Sequence, residues 1–266
     1  MHSWPAASCA MRGWMSETRE DGFLGGRLQI AQPVRGFRSG ADAVMLAAAC
    51  PAQPGETVLE LGCGAGVASL CLGWRVPSLK LTGLERQEDY AALARRNAVR
   101  NDIPLDVVTG DLAAMPPGLR EQSFDHVIAN PPYFLSGSRA VDSGRDVSRQ
   151  ESLPLAEWID AGLRRLKPGG MMTVIQRADR LDALLPALQA RAGAVTILPV
   201  SARTGREAGR IILTARKGSR APLRLLAPFV MHDADRHLRD GEDFSGPASA
   251  VLREGDSMAR YFAKVP

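Results

Sequence analysis

From residue 57 to residue 216 the chain alternates short continuous apolar runs with segments of helical periodicity, a pattern few architectures accept. The runs are Thr57–Leu61, Leu79–Leu84, Leu105–Thr109, Phe124–Ala129, Met171–Gln176, Val195–Pro199 and Arg210–Arg216. Between them, Gly66–Trp74, Glu88–Asn101, Leu155–Leu166 and Asp179–Arg191 read as helices. Strands that are apolar throughout are buried on both faces, so the pattern predicts an α/β fold with a doubly wound, mainly parallel sheet. Lys167-Pro168-Gly169-Gly170 stops a helix before the next strand. The last two runs have no helix between them and predict a terminal antiparallel hairpin, for seven strands in all.

Upstream, Arg27–Phe37 holds two short extended pieces around Pro33, and Ser39 is placed to cap a helix from Ala41 to Cys50. Beyond Lys217, Leu223–Val230 reads as one more strand and Ala248–Arg253 as a short helix. The expected organisation is a flexible leader over 1–20 and an N-terminal extension over 21–50, whose helix covers the site. A core over 51–220 and a C-terminal addition over 221–266, packed on that core, complete it. Polar Ser16–Asp21 reads like a fresh N-terminus, with Met11 or Met15 as its start.

The 266 residues are 45% hydrophobic and 23% charged, enough apolar material for a sizeable core. No run of eighteen apolar residues occurs, and Met1–Ala10 lacks the pattern of a secretion signal. Cys9, Cys50, Cys63 and Cys71 show neither metal-ligand spacing nor disulfide density. The expectation is a cytoplasmic protein that neither uses a metal nor touches a membrane. His232 and His237 read as solvated loop side chains. The net charge is +4 with a pI near 9.1, carried by arginine, since lysine stands only at 80, 167, 217 and 264. Arginine suits phosphate and base recognition; a GC-rich genome explains the bias equally well.

The first run ends in Glu60-Leu61-Gly62-Cys63-Gly64-Ala65-Gly66, a strand turning sharply into a helix. Glycine is needed where the backbone bends and a ligand comes close. A dinucleotide fingerprint would place its third glycine at 67, where Val67 stands, which disfavours a nicotinamide dehydrogenase. Glu60 would welcome a ligand's ammonium group and repel a pyrophosphate. The next strand ends at Glu85, followed by Arg86, and an acid at that distance can accept hydrogen bonds from both hydroxyls of a ribose. Asp111 and Leu112 follow the third strand, so three acids converge on one crevice.

Phe124–Ala129 is followed by Asn130-Pro131-Pro132-Tyr133. As structure alone this is a stiff turn. Chemically it suits a planar amino nitrogen, whose lone pair is delocalised and must be freed before it can attack. The Asn130 side-chain oxygen and the Pro131 carbonyl can accept the amine's two hydrogens, and proline fixes the direction of that carbonyl. Tyr133 offers a face for a base to stack on. Attack on a sulfonium methyl is then an in-line displacement that needs positioning and no strong base.

The glycine-rich turn, the two acids after it and Asn130–Tyr133 resemble the class I S-adenosylmethionine-dependent methyltransferases that modify amino nitrogens. Gln32-Pro33-Val34-Arg35-Gly36-Phe37-Arg38-Ser39-Gly40-Ala41-Asp42-Ala43-Val44-Met45-Leu46-Ala47 is similar to the lead-in of the bacterial tRNA(valine) adenine-N6 methyltransferase family. That resemblance implies a Rossmann-like fold, S-adenosylmethionine as cofactor, and N6-methylation of the tRNA adenine just 3′ of the anticodon. It implies catalysis by Asn130, Pro131, Pro132 and Tyr133. It implies a cofactor site built from Phe37, Arg38, Asp42, Glu60, Gly62, Cys63, Gly64, Gly66, Glu85, Arg86, Asp111, Leu112 and Asn130. For Arg38 and Asp42, helix capping around Ser39 is a second explanation.

For RNA, Ser136–Glu151 carries Arg139, Arg145 and Arg149 and reads as a lid meeting phosphates or, equally, as a solvated loop. A second cluster, Arg203, Arg206, Arg210, Arg216, Lys217 and Arg220, surrounds the last hairpin. The main rival is a protein-glutamine N5-methyltransferase acting on a release factor, which shares the tetrapeptide. Its family resembles this chain less, since it carries a helical N-terminal domain. DNA adenine methylation usually comes with Asp at position 130 and a target-recognition domain. A non-catalytic RNA-binding relative would show damage to the tetrapeptide or the turn.

Overall fold

The computed structural model describes residues 17–132, 153–233 and 243–263. The elements are β1 (Thr18–Phe23), β2 (Leu28–Pro33), α1 (Ala41–Ala49), β3 (Thr57–Leu61), α2 (Val67–Arg75) and β4 (Lys80–Glu85). They continue with α3 (Glu88–Arg100), β5 (Leu105–Thr109), α4 (Pro117–Arg120), β6 (Phe124–Ala129), α5 (Leu155–Arg165) and β7 (Leu166–Arg177). Then follow α6 (Leu181–Gln189), β8 (Ala192–Ser201), β9 (Ala208–Lys217), β10 (Arg224–Leu225), β11 (Phe229–Val230) and α7 (Gly246–Ser249).

The main sheet runs β10-β8-β9-β7-β6-β3-β4-β5, with β11 also on β8. All its pairs are parallel except those of β9, which lies antiparallel between β7 and β8. The antiparallel pair expected from the last two apolar runs is therefore present, with its second strand inserted inside the sheet. The sheet has nine strands rather than seven, because two two-residue strands add to β8. Those two replace the single strand expected over Leu223–Val230: Leu226–Pro228 lies between them, and prolines interrupt ladders.

Continuous apolar runs follow from burial on both faces. Val58, Ile128, Ile175, Leu198 and Ile212 join a cluster with α1 and α2. Their neighbours Leu59, Val127, Val174, Ile197 and Ile211 join another with α5 and α6 on the opposite face.

The N-terminal region differs from expectation. β1 reaches back to Thr18, inside the stretch read as a leader, and pairs with β2 in a hairpin of its own. β2 is one strand ending at Pro33, not two pieces around it. Its other edge is held by side-chain amides of α3: Asn97 exchanges two hydrogen bonds with Ala31 (2.9 and 3.0 Å), and Asn101 two with Gln29 (2.9 and 3.0 Å). Asparagine, with donor and acceptor on one plane, imitates a neighbouring strand there. Ser39 does not cap α1; the cap position is Gly40, and the backbone of Ser39 is clasped by the Gln32 side chain (2.8 and 3.1 Å).

At the amino edge of the sheet, Asp125 accepts from the Thr57 amide and hydroxyl and from Lys167 Nζ at 2.7–3.0 Å. Burial works against its charge, but Lys167 and Thr57 outweigh it and hold the carboxyl well below the usual range. Beside it, Glu56 meets His126 Nε2 at 2.8 Å.

Candidate functional site

The parallel topology brings the carboxyl ends of β3, β4, β5 and β6 to one edge, where crossover connections leave a crevice. A cavity there is lined by Phe37, Gly62, Gly64, Glu85, Arg86, Asp111, Leu112, Asn130, Pro131 and Pro132 of the expected residues. Leu84, Gln87, Tyr90, Gly110, Leu153 and Trp158 complete the wall.

The turn after β3 favours glycines. Gly62, Gly64 and Gly66 have φ of 67°, 54° and 86°, where a side chain is strained. Each meets something different. A Cβ on Gly62 would stand 2.7 Å from the Trp158 ring, and one on Gly66 would press on Ala94 and Leu105. Beside Gly64 the space is open. Gly66 therefore serves the packing of α2 and does not line the cavity. Cys63 also turns inward: its thiol is buried against Gly83, which raises its pKa, and its amide binds the Leu84 carbonyl at 3.0 Å.

Glu85 is held by two backbone donors, Gly64 and Gln87, both at 2.9 Å. Burial raises its pKa, and these donors offset part of the rise. The first turn is thus locked to the second acid by the carboxylate itself. Asp111 takes the Ala113 amide at 2.8 Å, shaping its own loop, while Gly110 allows Pro116 to close over the strand end.

Beyond Gly66 and Cys63, three more residues expected at the site lie elsewhere. Glu60 is 4% exposed and accepts from the amide and hydroxyl of Ser69, so it caps the first turn of α2. Burial pushes its carboxyl up to about 8, with repulsion from Glu85 adding and Ser69 opposing. Arg38 pairs with Asp21 at 2.7 Å, and Asp42 with Arg210 at 3.0 Å. None of the three lines the cavity.

Phe37 does line it, and Tyr90 explains how. The Tyr90 hydroxyl accepts from the Phe37 amide (2.9 Å) and donates to the Phe37 carbonyl (3.0 Å). A Cβ on Gly36, whose φ is 109°, would sit 2.9 Å from that oxygen. Burial raises the phenol's pKa, keeping it a donor. The Phe37 ring is half exposed at the rim of the cavity. Tyr90 could have been suspected from its place one turn into the helix after Glu85. Trp158, a lone aromatic in a helical pattern, reads as core and gave no such signal.

After β6, Asn130 and Pro131 face the cavity and Pro132 stands at its surface. Tyr133, Arg139, Arg145, Arg149 and His237 lie outside the described residues. Of the arginines expected around the hairpin, Arg203 is mostly buried and paired with Asp243 at 2.9 Å, whereas Arg206 is exposed in the turn after β8. Because β9 runs backwards, the wider cluster is split. Arg210 stands at the carboxyl edge opposite Arg177, and Arg216 at the other edge opposite Met171. Among the described residues, no group of three His, Cys, Asp or Glu could hold a metal ion, and no helix is long and apolar enough to cross a membrane. His232 stacks on Phe244 and meets Asp243 at 3.0 Å.

A family model for the methyltransferase small domain matches residues 40–198. The chain is similar to a tRNA1(Val) (adenine(37)-N6)-methyltransferase of Porphyromonas gingivalis, 31% identical over 59% of this chain and 66% of that one. It thus spans slightly under two thirds of that relative's length. A protein of the same name from Aeromonas hydrophila is 26% identical over 75% of this chain and 85% of its own. Among solved structures, a predicted O-methyltransferase from Agrobacterium tumefaciens superposes with a TM-score of 0.66 at 27% identity. That match covers 81% of this chain and 97% of that one.

Proposed function

The chain belongs to the methyltransferase small-domain family, and from that premise we propose that it transfers the methyl group of S-adenosylmethionine to the N6 amine of an adenine in RNA, with tRNA as the acceptor. The observation that carries the reading is the single cavity in which Gly62, Gly64, Glu85 and Asp111 face Asn130 and Pro131. The names of the curated relatives agree with it. The name of the Agrobacterium structure points to oxygen instead. The residues favour nitrogen: two fixed acceptors suit an amine, and no histidine or lysine lines the described cavity to take a hydroxyl's proton.

The wall fits the cofactor. Open space beside Gly64 admits a ligand to the backbone, Glu85 accepts hydroxyl donors, and Leu84, Leu112 and Phe37 supply apolar surface. Bound there, the cofactor supplies an electrophilic methyl on a cationic sulfur. Glu85 and Asp111 would hold its sugar and base end, and Gly62 and Gly64 would receive the rest. Asn130 and the Pro131 carbonyl orient the acceptor amine and draw its lone pair out of the ring. The proton leaves after transfer, so no base of matched pKa is needed. Arg206, exposed in the turn after β8, would meet phosphate, and the protein works in the cytoplasm beside its tRNA.

The test is transfer from labelled S-adenosylmethionine to total tRNA, total rRNA and a release factor, followed by nucleoside and amino-acid analysis. Labelled N6-methyladenosine in tRNA is expected. Label in glutamine alone would overturn the reading.

A further inference from the structure

Pro131 has no amide hydrogen, so the ladder between β6 and β7, last formed at Ala129 and Val174, cannot continue through it. Two residues along β7, on the same face as Val174, the Gln176 side chain takes its place. Gln176 is 1% exposed, and its Nε2 donates to the Pro131 carbonyl at 3.2 Å. Its Oε1 accepts the Arg177 amide at 2.9 Å. With a donor on one side and an acceptor on the other, only one orientation of the carboxamide satisfies both.

We propose that Gln176 is a positioning residue for methyl transfer: it holds the Pro131 carbonyl in one direction through one lone pair and leaves the second for the acceptor amine. The proposal rests on the reading of Pro131 as an acceptor for that amine. A carbonyl carries two lone pairs, so the hydrogen bond from Gln176 orients the group without filling it. It also sets the angle at which the amine must approach, and small errors in such angles are costly in rate. A buried glutamine that merely satisfied its own polar atoms would affect folding and leave turnover per folded molecule untouched.

Two variants separate these roles. Gln176→Leu removes donor and acceptor together; kcat should fall about 10- to 100-fold, up to the loss that a misplacement of about 1 Å can cause. The cofactor Kd and the KM for tRNA should stay within about twofold. Gln176→Glu adds a pH signature. The neutral acid keeps both a donor and an acceptor, whereas the carboxylate only accepts and sets negative charge against the carbonyl. Burial raises the pKa of that carboxyl. Its kcat should therefore approach the wild-type value at acid pH and fall about tenfold per pH unit above its titration, a limb that the wild type lacks. Turnover is measured with labelled S-adenosylmethionine and unmodified tRNA, and the melting temperature at each pH. Full kcat in Gln176→Leu, matching pH profiles, or a loss of rate that tracks unfolding at every pH would overturn the proposal. If the wild type methylates another acceptor, the functional reading falls, and the same variants assayed on that acceptor still judge Gln176.

Discussion

The two edges of one sheet treat their acids in opposite ways. At the amino edge Asp125 is gripped by Lys167 and by both donors of Thr57, and its carboxyl is held down. At the carboxyl edge Glu60 and Glu85 are more deeply buried, burial raises the pKa of both, and their described hydrogen bonds come from neutral donors. The first arrangement balances its charge within the chain and supports the fold. In the second, burial outweighs the help that Glu85 has from Arg86 and the backbone, an environment that marks functional sites more often than structural ones.

The division can be broken from either side. Asn130→Ala at the carboxyl edge should lower kcat by about two to three orders of magnitude, with melting temperature and cofactor affinity nearly unchanged. Loss of cofactor binding in that variant would make Asn130 a wall of the cofactor site and no acceptor. Glu85→Ala should weaken cofactor binding about tenfold or more, read by calorimetry, because the proposed sugar contacts and the lock on Gly64 would both go. Asp125→Ala should do the reverse: turnover per folded molecule holds, while stability drops by about 1–2 kcal/mol, a figure reduced for partial exposure of the pair. Since the folded-state carboxyl is depressed, that contribution is present above the unfolded value near pH 4 and vanishes as pH falls through the folded value. Denaturation curves of wild type and variant should therefore converge in acid.

Glu60 carries the opposite sign. With its carboxyl raised to about 8, the folded state holds a proton that the unfolded state has lost. Wild-type stability should fall as pH rises from about 4.5 to 8 and level off above, whereas Glu60→Gln should lack that slope. Parallel curves would place Glu60 with Asp125 and erase the contrast. The smallest effect is expected for Arg206→Ala: a few-fold rise in KM for RNA and a salt slope lower by about one. Arg203→Ala, by contrast, should register mainly in stability.

The sheet was legible because burial on both faces writes itself as unbroken apolar runs, as at Val58–Leu59 and Val127–Ile128. The glycine turn and the acids after β4 and β5 were legible because each sits at a strand end whose position those runs reveal. What stayed hidden depends on contacts distant in sequence. Gly62 and Gly66 look alike in sequence, yet one faces the cavity and the other Ala94. Glu60 precedes the turn by the same logic that made it a ligand candidate, but strand alternation sends it toward Ser69. The missing helix before β9 announces its reversal, but its insertion between β7 and β8 cannot be read from local periodicity, nor that Arg210 and Arg216, near in sequence, stand at opposite ends.

Helix α3 has a consequence for where this molecule can be cut. Along one face it presents Tyr90 to Phe37, Asn97 to Ala31 and to the Ala65 carbonyl, and Asn101 to Gln29. The region matched by the family begins at residue 40, yet this spine fastens the preceding twenty residues to the rim of the cavity. A chain started at residue 40 would keep its main sheet and lose the lip. Domain, in the sense of what aligns, and working unit, in the sense of what must be expressed together, therefore end at different residues.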